Sequence, residues 1–570
     1  MAYRGMTTES RAEIAASDVA PAPDNSLWSA PGRRLTRVDW AIAATLGFVS
    51  LLYLWIFRAL FQWDPDEGII LQGAVRILHG EIPYRDFFSF YTPGSYYWNA
   101  LLLRVFGESL LVPRTALVAY GALFSASTYL LSRKMSNSRQ SSTFVSLLLL
   151  ISCLPVRFIV LHNWDSTAAG LACLCSAILL VHRRGIAASL STGFFAALTL
   201  LFNQARGAGL IFGLALGLAL LQWRLRSMRL RKQDLVAIVS GITLPVVFTM
   251  AYLARQGALP EFISSMSWPM NHYSGANRLP FGFVIMSQAD VNALFLSGPL
   301  PMRALRLFFV SPAVILSALP VFVVLVAAAC VIKPRRDLSK NEQGLTILSG
   351  SIVLGSLITA VVSRPDFHHL TFLMPLYAFL LPWVLDRWAA PFRSFSAARD
   401  LVVLYFLLAF TAYGLTVLMV ARNATVPLQT RRGLLRTGRP NQTIPFVQEH
   451  IPPGSKLLVH PYFPLYSFLT ATTSPVRYEY LQPGMHSLEE FNNTQRELAE
   501  HPPEAVLLEP LFTYKIPTAW PHTRLSDIVR DPVTDFITHN YVVCRILDYD
   551  SPATFLFMAR KDLGCAKILH

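Results

Sequence analysis

Trp63-Asp64-Pro65-Asp66-Glu67-Gly68 follows directly on the first long apolar run of the chain, Trp40 to Phe61. That run is long enough to cross a bilayer. Three carboxylates in four positions cannot stay in hydrocarbon, where an ionised side chain costs several kcal/mol. The cluster therefore belongs in a polar cavity or at an aqueous surface, at the mouth of a membrane helix. This reading sets the fold class: a polytopic α-helical membrane protein.

Composition agrees. Of 570 residues, 53% are hydrophobic and only 15% are charged, whereas soluble domains carry about 25% charged residues. The net charge of +15 would suit a nucleic-acid partner. Lys and Arg, however, gather in short connections between apolar runs, the pattern of the positive-inside rule. The charge reports topology, attraction to anionic membrane lipids follows from it, and no nucleic-acid partner is expected.

Residues 1–36 are polar, with scattered Pro, Ser and Arg, and read as a disordered cytoplasmic tail without a cleavable signal. Arg33, Arg34 and Arg37 hold the near end of the first span in the cytoplasm. About eleven spans then fill residues 37–421. Basic connections at Arg133-Lys134, His182-Arg183-Arg184, Arg224 to Lys232, Lys333-Pro334-Arg335-Arg336 and Asp386-Arg387 fall on one side. The loops holding Asp66 (residues 62–108), Asp165, Arg206, residues 255–306 and His368 all fall on the other. An odd number of spans puts the N-terminus inside and the C-terminus outside. Residues 422–570 are richer in Pro and polar side chains. The β-rich runs Lys456–Val459, Ala505–Leu508 and Tyr541–Val543 alternate there with helical pieces such as Ser487 to Glu500. This predicts a small extracytoplasmic α/β domain with its own core.

Four of the six cysteines lie in apolar runs and read as small core residues. Cys173-Leu174-Cys175 has no flanking His or acidic ligand, so no metal site is expected there. Cys544 and Cys565 stand in the polar C-terminal region, where an extracytoplasmic setting would permit a disulfide.

Within the acidic stretch, Asp64 as N-cap, Pro65 at the first helical position and Glu67 at the third make a helix start. Ile69, Ile70, Gly73, Ala74, Ile77 and Leu78 then suit an amphipathic helix along the membrane interface. Asp66 is left over. It fits either chemistry or a favourable first-turn interaction with the helix dipole. Eight aromatics from Pro83 to Trp98 suit an interfacial belt or a sugar-binding wall, with Arg85 and Asp86 as polar handles.

The sequence resembles GT-C glycosyltransferases in the first extracytoplasmic loop. The resemblance rests on Asp66-Glu67 after the first span, a helix ending at His79-Gly80, then Pro83-Tyr84-Arg85-Asp86 and Tyr91-Thr92-Pro93-Gly94. It is nearest the bacterial branch of protein O-mannosyltransferases, the lipid A aminoarabinose transferase and the rhizobial galacturonosyltransferases, and it extends to the layout of spans, long outer loops and C-terminal domain. The resemblance implies an inverting transfer of sugar from a polyprenyl-phosphate donor to a glycan, lipid or protein acceptor, at the outer face of the inner (plasma) membrane. It gives the general-base role to Asp66, with Glu67 in support, and places Tyr84 and Asp86 on substrate.

Arg206, in Asn203-Gln204-Ala205-Arg206, is the candidate partner of the leaving phosphate; an interface anchor is the other reading. Asp165 corresponds to a second outer-loop carboxylate and equally suits an N-cap. Arg364, His368 and His369 suit phosphate contact or acceptor positioning. Adjacent histidines on a helix diverge, so they do not suit a shared metal. The family holds members with and without a required divalent cation, so a cation requirement stays open. Trp268 to Tyr273 and Asn277 to Pro280 suit either a lid or packing over the bundle. A transporter or flippase for lipid-linked glycans, or a non-catalytic assembly partner, are the alternatives. Transporters favour ionisable groups midway along broken, repeated helices, whereas here they gather at helix ends.

Overall fold

The computed structural model describes residues 35–569 apart from 63, 137, 184, 226–229, 274–278, 285–291, 293–295, 334–338, 389–395, 521, 524–527, 529–530 and 550–552. The expected tail up to residue 34, Trp63, and Asn277 and Arg278 of the long loop lie outside the described residues.

Among the described residues, nine helices are long and apolar enough to cross a membrane. The first is Arg37–Trp55 and the last Leu404–Asn423. The bent pair Phe367–Leu376 and Ala378–Val384 makes ten if it is one span, against the expected eleven; the remaining expected span, Ile186–Phe202, is a shorter apolar helix of 17 residues. The first helix starts at a reciprocal cap between Thr36 and Asp39. Asp39 is buried, and its carboxylate is met by Arg133 and Arg139 at 3.0 Å each.

Small residues set the closest helix approach. A side chain at Gly209 would sit 2.4 Å from the Gly355 carbonyl, and one at Gly355 2.0 Å from that of Gly209. The helices Gln204–Arg224 and Lys340–Ser363 therefore touch backbone to backbone, as small-residue stripes permit where no hydrophobic effect drives association.

Two features depart from the sequence reading. The first apolar run does not stay helical to Phe61. The helix ends at Trp55, and the chain then pairs with a later strand through Phe61 N–H to Arg436 O and Arg436 N–H to Ala59 O, each 2.7 Å. The helix Asp66–Leu78 is also not an exposed interfacial helix. Its residues from Glu67 to Arg76 are all buried, between the helices Gly94–Phe106 and Pro464–Thr470. Its polar positions are used up by the C-terminal region: Gln72 donates to Thr472 O, and Arg76 donates to Val476 O.

That region begins with a hairpin, β1 (Val426–Thr430) and β2 (Gly433–Thr437). A four-stranded sheet follows, built from β3 (Leu457–His460), β4 (Ala505–Leu508), β5 (Tyr541–Leu547) and β6 (Phe555–Arg560) in the order β3-β4-β6-β5. β3 and β4 are parallel and fully buried, as expected of covered parallel strands; the other pairs are antiparallel. Ser487 caps the helix Leu488–Glu500 with Glu490 at its third position. Cys544 and Cys565 form a disulfide with a Cα–Cα distance of 5.5 Å.

Candidate active site

A cavity of about 350 Å³ opens where the acidic helix start, the 154–163 turn, the 364–369 turn and the C-terminal region meet. Asp64 and Asp66 form one wall. The Asp64 carboxylate accepts the Asp66 backbone N–H at 3.1 Å, but the helix starts one residue later than the sequence suggested, with Pro65 rather than Asp64 at the N-cap position. Arg157 binds both acids: its Nε and one terminal nitrogen reach Asp64 at 2.8 and 3.0 Å, and the same terminal nitrogen reaches Asp66 Oδ2 at 2.7 Å. The Tyr462 hydroxyl donates to Asp66 Oδ1 at 2.9 Å.

Burial works against charge on Asp66, but the Arg157 guanidinium, the Tyr462 hydroxyl and the nearby Arg364 outweigh it and hold the carboxyl below the usual range. Asp64 moves the other way. Burial raises it, and the adjacent Asp66 charge adds to this against the pull of Arg157. The first proton taken up by the pair therefore goes to Asp64, leaving Asp66 ionised.

The facing wall is polar. Arg364 donates to Asp366 at 2.6 Å and lies 5.6 Å from the Trp520 ring, while His369 Nδ1 stands 2.8 Å from the other Asp366 oxygen. Asp366 also caps the helix Phe367–Thr371 by accepting the His369 N–H. His368, His369, Lys515 and Trp520 line the space, and Tyr91 and His162 close one side with their rings 4.0 Å apart. His162 Nδ1 and His368 Nδ1 are buried without a hydrogen-bond partner.

Of the residues singled out from sequence, Asp66, Arg364, His368 and His369 line this cavity. The others are turned away from it. Glu67 is fully buried in a two-pronged pair with Arg114, at 2.9 and 2.6 Å, and also accepts the Val160 N–H. It does not reach back to cap its own helix, and its oxygens face structure rather than substrate space. Tyr84 is fully buried at φ +73°, with its hydroxyl on Tyr91 O and its ring against Phe262. Asp86 is held by Arg85 and the Ile82 N–H at 2.7 Å. Asp165 lies inside the first turn of the helix His162–Arg183 and is tied by Ser95 and Tyr120. Arg206 lies behind the wall, donating to Thr167 and to the His369 carbonyl, over the Phe372 ring. Its charge supports the turn that presents the histidines.

Arg157 and Tyr462 were missed from sequence. Arg157 did leave a signal, as a guanidinium inside the apolar run Ser142 to Leu161, where a charge needs a partner. Tyr462 left none, because only the folded chain brings residue 462 to residue 66.

Gly68 explains how they meet. A Cβ there would lie 2.0 Å from the Leu465 backbone nitrogen, so the acidic helix packs directly on Pro464–Thr470, two residues beyond Tyr462. Gly68→Ala is expected to destabilise the protein by about 1–3 kcal/mol through overpacking and to lower activity through displacement of Tyr462. Thermal unfolding beside an activity assay checks this; unchanged values in both would refute the contact.

Among the described residues, no group of three or more His, Cys, Asp or Glu is arranged to hold a metal ion. The Arg157 guanidinium occupies the space between Asp64 and Asp66, where a cation would otherwise bridge them. These two acids therefore do not fit a metal.

No protein-family model and no curated protein matches the chain. Solved structures do. ArnT from Cupriavidus metallidurans bound to undecaprenyl phosphate aligns over 92% of this chain and 97% of its own, at 14% identity and a TM-score of 0.50. The same protein in the apo state gives 13% identity, the same coverage and a TM-score of 0.44. An oligosaccharyltransferase from Archaeoglobus fulgidus gives 12% identity over 90% of this chain and 72% of its own, with a TM-score of 0.43. The last two superpose more loosely than the first. The likeness is one of fold: this chain carries the GT-C fold of membrane glycosyltransferases, a polytopic helical bundle with a small α/β unit.

Proposed function

We propose that the protein is an inverting glycosyltransferase. It moves a sugar from a polyprenyl-phosphate donor to an envelope glycan, lipid or protein acceptor, at the extracytoplasmic face of the inner membrane. In this reading residues 37–421 form the membrane domain, 1–36 a cytoplasmic tail and 422–570 an outer α/β domain. The N-terminus lies inside and the C-terminus outside.

One observation carries the reading. Asp66, held ionised by Arg157 and Tyr462, faces the Arg364 guanidinium, with His368 and His369 beside it, across a single cavity. Asp66 takes the proton of the acceptor hydroxyl as its oxygen attacks the anomeric carbon. The bond from that carbon to the phosphate oxygen breaks, and the phosphate leaves toward the Arg364 guanidinium. That the ArnT neighbour was solved with undecaprenyl phosphate supports this class of donor. The test is to incubate the purified protein with polyprenyl-phosphate sugars extracted from bacterial membranes, together with an envelope extract that supplies glycan, lipid and protein acceptors. Consumption of one of them with release of polyprenyl phosphate is expected; if all of them persist, the reading falls.

Three further results are expected. Arg364→Ala is expected to slow transfer by about 10²–10³-fold, the scale of losing one charge-stabilising donor; a rate within twofold of wild type would remove Arg364 from the mechanism. Because Arg157 supplies the positive charge at the acidic pair, exhaustive chelation is expected to leave the rate within about twofold, and a collapse restored by a divalent cation would contradict this. The sign of the pH dependence follows from Asp66. Its depressed range keeps the base ionised as pH falls, so kcat/KM should not decline with Asp66 protonation between about pH 7 and about pH 5.

A further inference from the structure

A second cavity, of about 600 Å³, is lined in part by the segments that lead into Asp64 and Arg157. Phe57, Leu60 and Phe61 line it together with Pro155 and Val156 and with Val417 and Val420 of the last membrane helix. Its lining is mostly apolar, and Val420 is exposed. Among the described lining residues the one charge is Arg439, exposed at the rim beside Gly438 and Pro440. An apolar groove between the ends of two membrane helices fills with hydrocarbon rather than water, since water there would leave apolar surface hydrated. A basic rim then selects an anionic head over a zwitterionic one.

The two cavities share no lining residue. A lipid chain seated here has its head at Arg439, which lines this groove and not the cavity of Asp66. Neither a donor nor an acceptor whose reacting group lies beside Asp66 suits this groove. We infer that the groove binds the acyl chain of an anionic phospholipid, a lipid distinct from both substrates. The bound chain braces two segments that carry the site. Pro155-Val156 leads directly into Arg157, and Phe61-Gln62 leads into Asp64. Binding itself does not require the transferase reading; the bracing of activity does.

The test uses the full-length protein in nanodiscs with a phosphatidylglycerol carrying a mid-chain diazirine. Peptides containing Pro155-Val156 or Val417 to Ala424 should carry the label. Unlabelled phosphatidylglycerol should compete about fivefold better than phosphatidylcholine, the scale of one basic side chain at an anionic head. Arg439→Gln should erase that preference, and Val420→Trp should block labelling of Pro155-Val156 with unfolding temperature unchanged. Undecaprenyl phosphate should not compete. Displacement by undecaprenyl phosphate would make the groove a donor subsite and overturn the inference. So would equal competition by both phospholipids, or label absent from these peptides. Phospholipid labelling without any sugar transfer would keep this site and refute the transferase reading instead.

Discussion

Asp66→Asn is expected to lower sugar transfer by about 10²–10⁴-fold, the usual contribution of a positioned general base, with little change in unfolding temperature. The amide keeps the shape and can still accept from Tyr462, so the helix start survives. Asp64 remains to hold Arg157. The loss should appear in kcat, because the proton is taken only in the transition state. Asp64→Asn is the informative companion. It removes a positioning partner of Arg157 and leaves the base in place, so a smaller loss than that of Asp66→Asn is expected. Equal losses would mean that the pair acts as one unit; full activity in Asp66→Asn would remove the base.

The largest effect on stability should come from the neighbouring carboxylate. Glu67 and Arg114 are both fully buried, and Arg114 also donates to the carbonyls of Arg58 and Leu60. Removing one partner leaves a buried charge unpaired, so Glu67→Leu or Arg114→Met is expected to cost about 3–5 kcal/mol. The double variant should recover most of that loss, since a buried pair replaced by apolar groups is often near neutral. Unfolding in a mild detergent, monitored for the two single variants and the double, checks this. Additive losses would show that the pair is not the unit described. Adjacent acids, Asp66 and Glu67, thus part company: one faces the cavity and the other anchors the loop to the bundle.

The bundle was legible in the chain because each span is a run of apolar residues between basic connections, a local pattern needing no tertiary information. The strands at Lys456–Val459, Ala505–Leu508 and Tyr541–Val543 were legible for the same reason. The site was legible only in part. Asp66 stood out because Asp64, Pro65 and Glu67 already had a helix start to explain them. The 364–369 turn stood out as polar residues crowded between spans. Tyr84, Asp86 and Asp165 looked functional by residue type and motif. In the fold each is spent on the loop's own hydrogen bonds, to Tyr91 O, the Ile82 N–H, and Ser95 with Tyr120. Arg206 was aimed correctly at the same end of the bundle, but it lies behind His369 rather than beside it in the cavity. Tyr462 depends on a contact across 396 residues of sequence, and no local pattern carries such a contact.

The proposed reaction is a direct displacement in which the Asp66 carboxylate activates the acceptor. The most direct measurement is the anomeric configuration of the transferred sugar, read by NMR of product and donor after turnover by the purified protein. Inversion is predicted, because a single attack passes through the anomeric carbon once. Retention would require a second displacement, and would contradict the role given to Asp66.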